Sequence, residues 1–198
     1  MSYILLIRHG DCDPVGKYLA GRSSGINLNS TGVTQVNRLS EMLGKIKINR
    51  LISSPLERTM QTAERIAHVQ GISVEKDESF LEIDYGNWTG KTFQQLANDQ
   101  LWNQFNVARS TTRVPGGEMM IEVQERIVKR IRAIGDLEPN SVIGIVSHSD
   151  PIKTAICAFC GIPLDMMHRL VIDPASVSAV RLGAWGAEIH FVNKFVEA

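Results

Sequence analysis

Short apolar runs that alternate with stretches of helical periodicity predict an α/β fold: three layers, α/β/α, around a mostly parallel central sheet. Two further observations sharpen this. The runs "YILLIRHGD" and "VIGIVSHSD" both break at a histidine, a small residue and an aspartate, as buried strands do when they end at a sheet rim. The tail "SVSAVRLGAWGAEIHFVNKF" sets two β-branched stretches around a glycine turn, which predicts an antiparallel hairpin near the C-terminus.

The elements follow in order. Residues 3–8 read as the first buried strand. In "NSTGVTQVNRLSEMLG", Val33, Val36, Leu39 and Leu43 fall on one helical face, with Asn29 as N-cap and Gly44 as the stop. A strand at 50–53 leads into a helix with Ser54 as cap, Pro55 at its first position and Gly71 at its exit. A short strand near 72–75 is followed by helical pieces between 92 and 109. "GGEMMIEVQERIVKRIRAIGD" is a helix with Val123, Ile127, Ile131 and Ile134 in register. "SVIGIVS" is the next strand, and Ser149 or Asp150 caps the helix that opens at "SDPIKTAICAFCG".

The 198 residues suit one domain spanning 1–198. With 43% hydrophobic residues and 21 basic against 21 acidic ones, the composition is that of an ordinary globular protein. Zero net charge argues against a broad nucleic-acid or membrane surface, and no apolar run is long enough to span a bilayer. "MSYILLIRHG" lacks the basic n-region of a signal peptide, so the cytoplasm is the expected location. Cys12, Cys157 and Cys160 are too few for a disulfide framework. The C-x-x-C in "CAFC" lies late in an apolar helix rather than at a helix start, so both its cysteines read as core packing, not a redox pair.

Ligands of open α/β sheets gather outside the carboxyl ends of the strands. His9 and His148 each stand just past such an end, and Arg8 adjoins His9. Arg58, in the first turn of its helix, leans back toward the same rim. Glu82 in "FLEIDYG" ends an apolar pair before a glycine turn. Taken singly, each has a plainer reading as a satisfied histidine, a solvated arginine or a surface carboxylate. Their convergence is what would make a site.

"IRHG", "SSPLERTMQTAE", "LEIDYGNWTG", "PGGE" and "VSH" before a helix, in this order and spacing, resemble the histidine phosphatase (phosphoglycerate mutase-like) superfamily over about residues 3–180. The resemblance implies that His9 is the nucleophile and becomes a phosphohistidine. It implies that Arg8 and Arg58 clamp the phosphoryl oxygens, that His148 is the second histidine of the phosphate pocket, and that Glu82 protonates the leaving oxygen. These roles suit the chemistry. Phosphoryl transfer demands positioning and charge stabilisation, and arginine forks match phosphate oxygens. A histidine nucleophile needs its other N–H held by an acceptor such as a backbone carbonyl. A glutamate beside a phosphate dianion holds its proton more tightly. Ser149, at a helix start, offers a backbone N–H to the anion.

The chain departs from the family pattern at Asp11, Cys12 and Val15, where glutamate, threonine and a phosphate-contacting asparagine are usual, at Met119 for serine, and at Ser149 for glycine. Arg22, Ser23 and Ser24 in "DPVGKYLAGRSSGINLN" are the candidates to compensate for the missing asparagine. Other classes fit worse. Cys12 has Tyr18 where a cysteine-dependent phosphatase needs arginine, "GIVSHSD" lacks the second glycine of a nucleophile elbow, and no P-loop occurs. The flanks of His9 and His148 suit an anion better than zinc, so neither metal nor cofactor is expected.

The expected activity is that of a histidine acid-type phosphatase acting on a small phosphorylated metabolite. The alternatives are a phosphoglycerate mutase-type transferase and a catalytically silent phosphate-binding module. Hydrolysis is preferred because familiar mutases carry extra sequence after the Glu82 region and a longer tail, whereas this chain stops soon after its last strand. The loop at 13–27 and a helical lid insertion at about 88–115, with Trp88, Trp102, Phe105, Arg109 and Arg113, are the expected specificity walls. The aromatics read as the lid's own core, and Arg22, Ser23 and Arg113 as substrate contacts. The C-terminal hairpin offers an edge strand to a second copy, which makes a homodimer compatible with the sequence.

Overall fold

β-Branched and leucine-rich runs too short for helices build the sheet of the computed structural model, which describes residues 1–195; positions 196–198 of the expected domain lie outside them. The strands are β1 (Ser2–Arg8), β2 (Arg50–Ser53), β3 (Val74–Lys76), β4 (Val142–Ser147), β5 (Val177–Gly183) and β6 (Gly186–Lys194). They lie in the order β3-β2-β4-β1-β5-β6. The pairs β3/β2, β2/β4 and β4/β1 are parallel, and β5 and β6 join antiparallel as the expected hairpin. The histidine-ending strands β1 and β4 are therefore central neighbours, with Arg8 opposite Ser147.

Alternation along β1 sorts the layers. Ile4 and Leu6 pack with Ile127, Ile131 and Ile134 of α5 (Met120–Leu137) and Ile152 and Ile156 of α6 (Ser149–Cys160). Leu5 and Ile7 point the other way, onto Val36, Leu39 and Leu43 of α1 (Ser30–Leu43) and Ala63 and Ile66 of α2 (Glu57–Gln70). Fully burying each such side chain contributes about 1.5–3 kcal/mol. Between β3 and α5 the chain forms α3 (Phe93–Leu96) and α4 (Gln100–Val107). There Trp88 meets Trp102 and Phe105 edge-on at 5.3 and 5.5 Å, so these aromatics fill a core of their own. Among the described residues no helix is long and apolar enough to cross a membrane.

Several local expectations are corrected. Val33 is 48% exposed, because the buried stripe of α1 runs through Val36, Leu39 and Leu43 and leaves it at the edge. The third strand starts at Val74 rather than near 72. Ser54 and Pro55 lie ahead of α2, whose N-cap is Leu56, and the Ser54 hydroxyl is engaged elsewhere. Neither Ser149 nor Asp150 caps α6: its N-cap is His148. All three cysteines are free, and Cys12 and Cys157 are buried while Cys160 is exposed beside the helix-ending Gly161, so core packing accounts for only one member of the C-x-x-C.

Candidate active site

The sheet order decides the meeting of the two histidines. His9 follows β1, its amide donating to the Ser147 carbonyl at 3.1 Å and its carbonyl accepting from Ala175 at 3.0 Å. His148 follows the neighbouring β4. Their rings meet edge-on with centroids 5.2 Å apart and planes at 65°. His9 Nδ1 lies 2.7 Å from the Gly10 carbonyl, which can only accept, so the proton sits on Nδ1 and Nε2 keeps its lone pair. Ser54 Oγ holds His148 Nε2 at 2.9 Å. If the hydroxyl donates, His148 carries its proton on Nδ1.

Gly10 explains why the residue after His9 must be small. A Cβ there would stand 2.7 Å from Val36 Cγ2 and 2.8 Å from the Gly32 carbonyl oxygen, so α1 could not close on this loop. The Gly10 amide donates to Thr62 Oγ1 at 3.2 Å, tying the same loop to α2.

A cavity of about 180 Å³ opens beside His9, lined among others by Arg8, Arg58, Glu82, Ser149 and Asp150. Arg58 is buried and donates through Nη2 to the Gly21 carbonyl at 2.8 Å, and Arg8 Nη1 donates to the Ile172 carbonyl at 2.6 Å. Buried nitrogens of two wall residues, Arg8 Nε and Arg58 Nη1, and of the His148 ring against His9, Nδ1, have no partner among the described residues. Buried donors are normally satisfied, and an anion would satisfy these. Burial, then the Arg58 and Arg8 charges, pushes the pKa of His9 well below 6.5, which keeps the ring neutral and nucleophilic. Burial, followed by the nearby Asp150 carboxylate, lifts Glu82 to about 7. Among the described residues, no group of three or more His, Cys, Asp or Glu is gathered to hold a metal ion.

The sequence-predicted residues divide. His9, Arg8, Arg58, Glu82 and Ser149 line one cavity, with the His148 ring against His9. Arg22 instead supports the backbone under Glu82: its Nε donates to the Glu82 carbonyl at 2.9 Å and Nη2 pairs with Glu118 at 2.8 Å. Ser23 and Arg113 are absent from the cavity wall. The Ser23 amide donates to Ala20, and Arg113 is an exposed residue paired with Glu122 at the foot of α5. At the position where the family has asparagine, Val15 lines the cavity with an apolar surface.

Three features escaped sequence reasoning. Glu118 of "PGGE" also pairs with Arg126 and accepts from the Asp84 amide at 3.0 Å, so it anchors the Glu82 segment. Asp150 accepts from Tyr85 Oη at 2.7 Å and from Arg109 Nη1 at 3.2 Å, which places a carboxylate in the cavity wall. The loop carrying Tyr18 is bonded to the segment before α3, with Leu19 N–H to Lys91 at 3.0 Å and Gly90 N–H to Leu19 at 2.8 Å, and Tyr18 and Phe93 both line the cavity. "PGGE" offered a sequence signal as a motif without a role, and Tyr18 and Phe93 fall in the two expected specificity walls, whose bonding to one another had no sequence signal.

A model of the histidine phosphatase superfamily, branch 1, matches residues 4–194. The chain belongs to that superfamily. Phosphoserine phosphatase 1 of Hydrogenobacter thermophilus is 26% identical over 186 residues, covering 92% of this chain and 87% of its own. A probable phosphoglycerate mutase of Cronobacter sakazakii is 29% identical over 182 residues, covering 91% and 85%. Among solved structures, a mutant phosphoserine phosphatase from Entamoeba histolytica in complex with phosphoserine superposes with a TM-score of 0.87 at 25% identity, covering 98% and 97% of the two chains. The α/β fold and the family read from the five sequence blocks are thereby borne out.

Proposed function

We propose that this histidine phosphatase is an acid-type phosphomonoester hydrolase in which His9 carries the phosphoryl group. The carrying observation is that Arg8, His9 and Arg58 line one cavity with the His148 ring against His9, while Arg8, Arg58 and His148 each keep a buried nitrogen without a partner among the described residues. The Arg8 and Arg58 guanidinium groups and the Ser149 amide receive the phosphoryl oxygens, with His148 Nδ1 as a further donor. His9 Nε2 forms the N–P bond as the ester P–O bond breaks, and the electron pair leaves with the alcohol oxygen. Glu82 gives that oxygen its proton. In the second half, a water oxygen bonds to phosphorus, its proton passes to Glu82, and the N–P bond breaks to release phosphate and restore both groups.

Hydrolysis of a chromogenic phosphate ester, measured with wild type and His9→Ala, tests this. Turnover in the wild type and none in the variant is expected. Turnover that survives His9→Ala overturns the role of His9. Phosphoryl transfer to added phosphoglycerate in preference to water would select the mutase alternative.

A further inference from the structure

Two cations line the cavity among the described residues, Arg8 and Arg58, and the hydrolase reading commits both to the phosphoryl group. What is left for the rest of the substrate has the opposite character. Asp150 reaches the cavity from the first turn of α6, and its bonds from Tyr85 and Arg109 both end on Oδ2. Tyr18, Leu19 and Phe93, also in the wall, carry no charge. The other arginines on this side are already paired: Arg22 and Arg126 with Glu118, Arg113 with Glu122, and Arg109 with Asp150, its guanidinium 4.8 Å above the Phe105 ring.

We propose that the cavity selects esters whose leaving alcohol is uncharged or cationic, and that it rejects those bearing a carboxylate next to the ester. This rests on the hydrolase reading of the same site. A hydroxyl or ammonium group on the leaving alcohol can donate to Asp150 Oδ1, which takes no bond among the described residues. A carboxylate in the same place loses water, finds no cation in the cavity wall beyond the two committed to the phosphoryl group, and faces Asp150, whose charge Arg109 and Lys153 offset only from outside that wall. Phosphoserine, the ligand of the Entamoeba structure, carries such a carboxylate, so the proposal separates this chain from that relative in specificity while leaving the chemistry shared.

Two matched pairs isolate the carboxylate: phosphoethanolamine against phosphoserine, and glycerol 1-phosphate against 3-phosphoglycerate. In each pair kcat/KM is expected to favour the ester without the carboxylate by about tenfold or more. Calorimetric binding of the same esters to His9→Ala protein is expected to rank them in the same order. Asp150→Asn, which keeps an oxygen for Tyr85, is expected to narrow both preferences. Equal or reversed preference in the wild type overturns the proposal, as does a preference that Asp150→Asn leaves unchanged. Ranked binding with no turnover of any ester, chromogenic ones included, overturns the hydrolase reading and leaves the specificity standing. Failure of all four esters to bind overturns the specificity proposal, and the hydrolase reading then stands or falls with the chromogenic ester.

Discussion

Glu82 and Asp150 face one small cavity as a pair of acids held in unlike states. Asp150 sits against Arg109 and Tyr85, and although burial opposes it, the Arg109 charge keeps its pKa below the usual carboxylate value. Glu82 has no ion pair among the described residues and is raised to about 7, first by burial and then by the Asp150 charge. The carboxylate that stays ionised thus helps its neighbour keep a proton, which is the division that acid catalysis needs.

The pH profile follows from this pair. Glu82 can donate only while protonated, so kcat/KM for esters of poor leaving groups is expected to fall as pH rises through about 7. His9, lowered well below 6.5, stays neutral across that descent and contributes no limb there. Glu82→Gln should lower kcat about 10²–10⁴-fold and abolish the descent, with a smaller loss for nitrophenyl esters. Asp150→Asn should move the descent to lower pH. A profile flat through neutrality would falsify the assignment of Glu82 as the acid.

The nucleophile can be trapped. Rapid quenching of wild type with labelled ester is expected to yield an acid-labile, base-stable phosphoenzyme, and His9→Ala none. Loss of His9 should reduce steady-state turnover at least about 10⁴-fold, because the remaining groups act as a unit with it. Label found on another residue would reassign the chemistry.

Ser54 is expected to act as a positioning residue through His148. Ser54→Ala removes a hydrogen bond to a buried ring. The loss is worth about 1–3 kcal/mol. The ¹⁵N shifts of the His148 ring should then show a tautomer mixture where the wild type shows one form. A ring spectrum unaffected by the substitution would refute the role.

Gly10→Ala probes packing rather than chemistry. The added methyl meets Val36 and the Gly32 carbonyl, one of them rigid backbone. A cost of about 1–3 kcal/mol is expected in denaturant unfolding. Activity should fall with it, because the Gly10 carbonyl holds the His9 ring.

The parts of this molecule that could be read from its sequence are those set by local pattern. Apolar runs gave the strands, and their endings placed His9 and His148. Helix periodicity gave the faces of α1 and α5, apart from Val33 at the stripe's edge. Helix-start and turn positions pointed to Arg58 and Glu82, and the family blocks supplied their expected roles. What could not be read depends on partners distant in the chain. Ser54 looks like a helix cap because serine before proline usually is one, yet its hydroxyl goes to the histidine that follows β4. Arg22 and Arg113 looked free for substrate because Glu118 and Glu122 come into reach only once α5 packs. Asp150 read as a helix-start residue, since nothing local reveals that Tyr85 and Arg109 approach it.

The stapling of the Tyr18 loop to the segment ahead of α3 bears on how ligands come and go. With the Leu19 amide donating to Lys91 and the Gly90 amide to Leu19 across that seam, neither jaw can swing out alone without breaking these bonds. Any opening at that seam that keeps these bonds carries both jaws together. Deuterium uptake at the Leu19 and Gly90 amides should then rise and fall in step, and a tightly held oxyanion should slow both to the same degree.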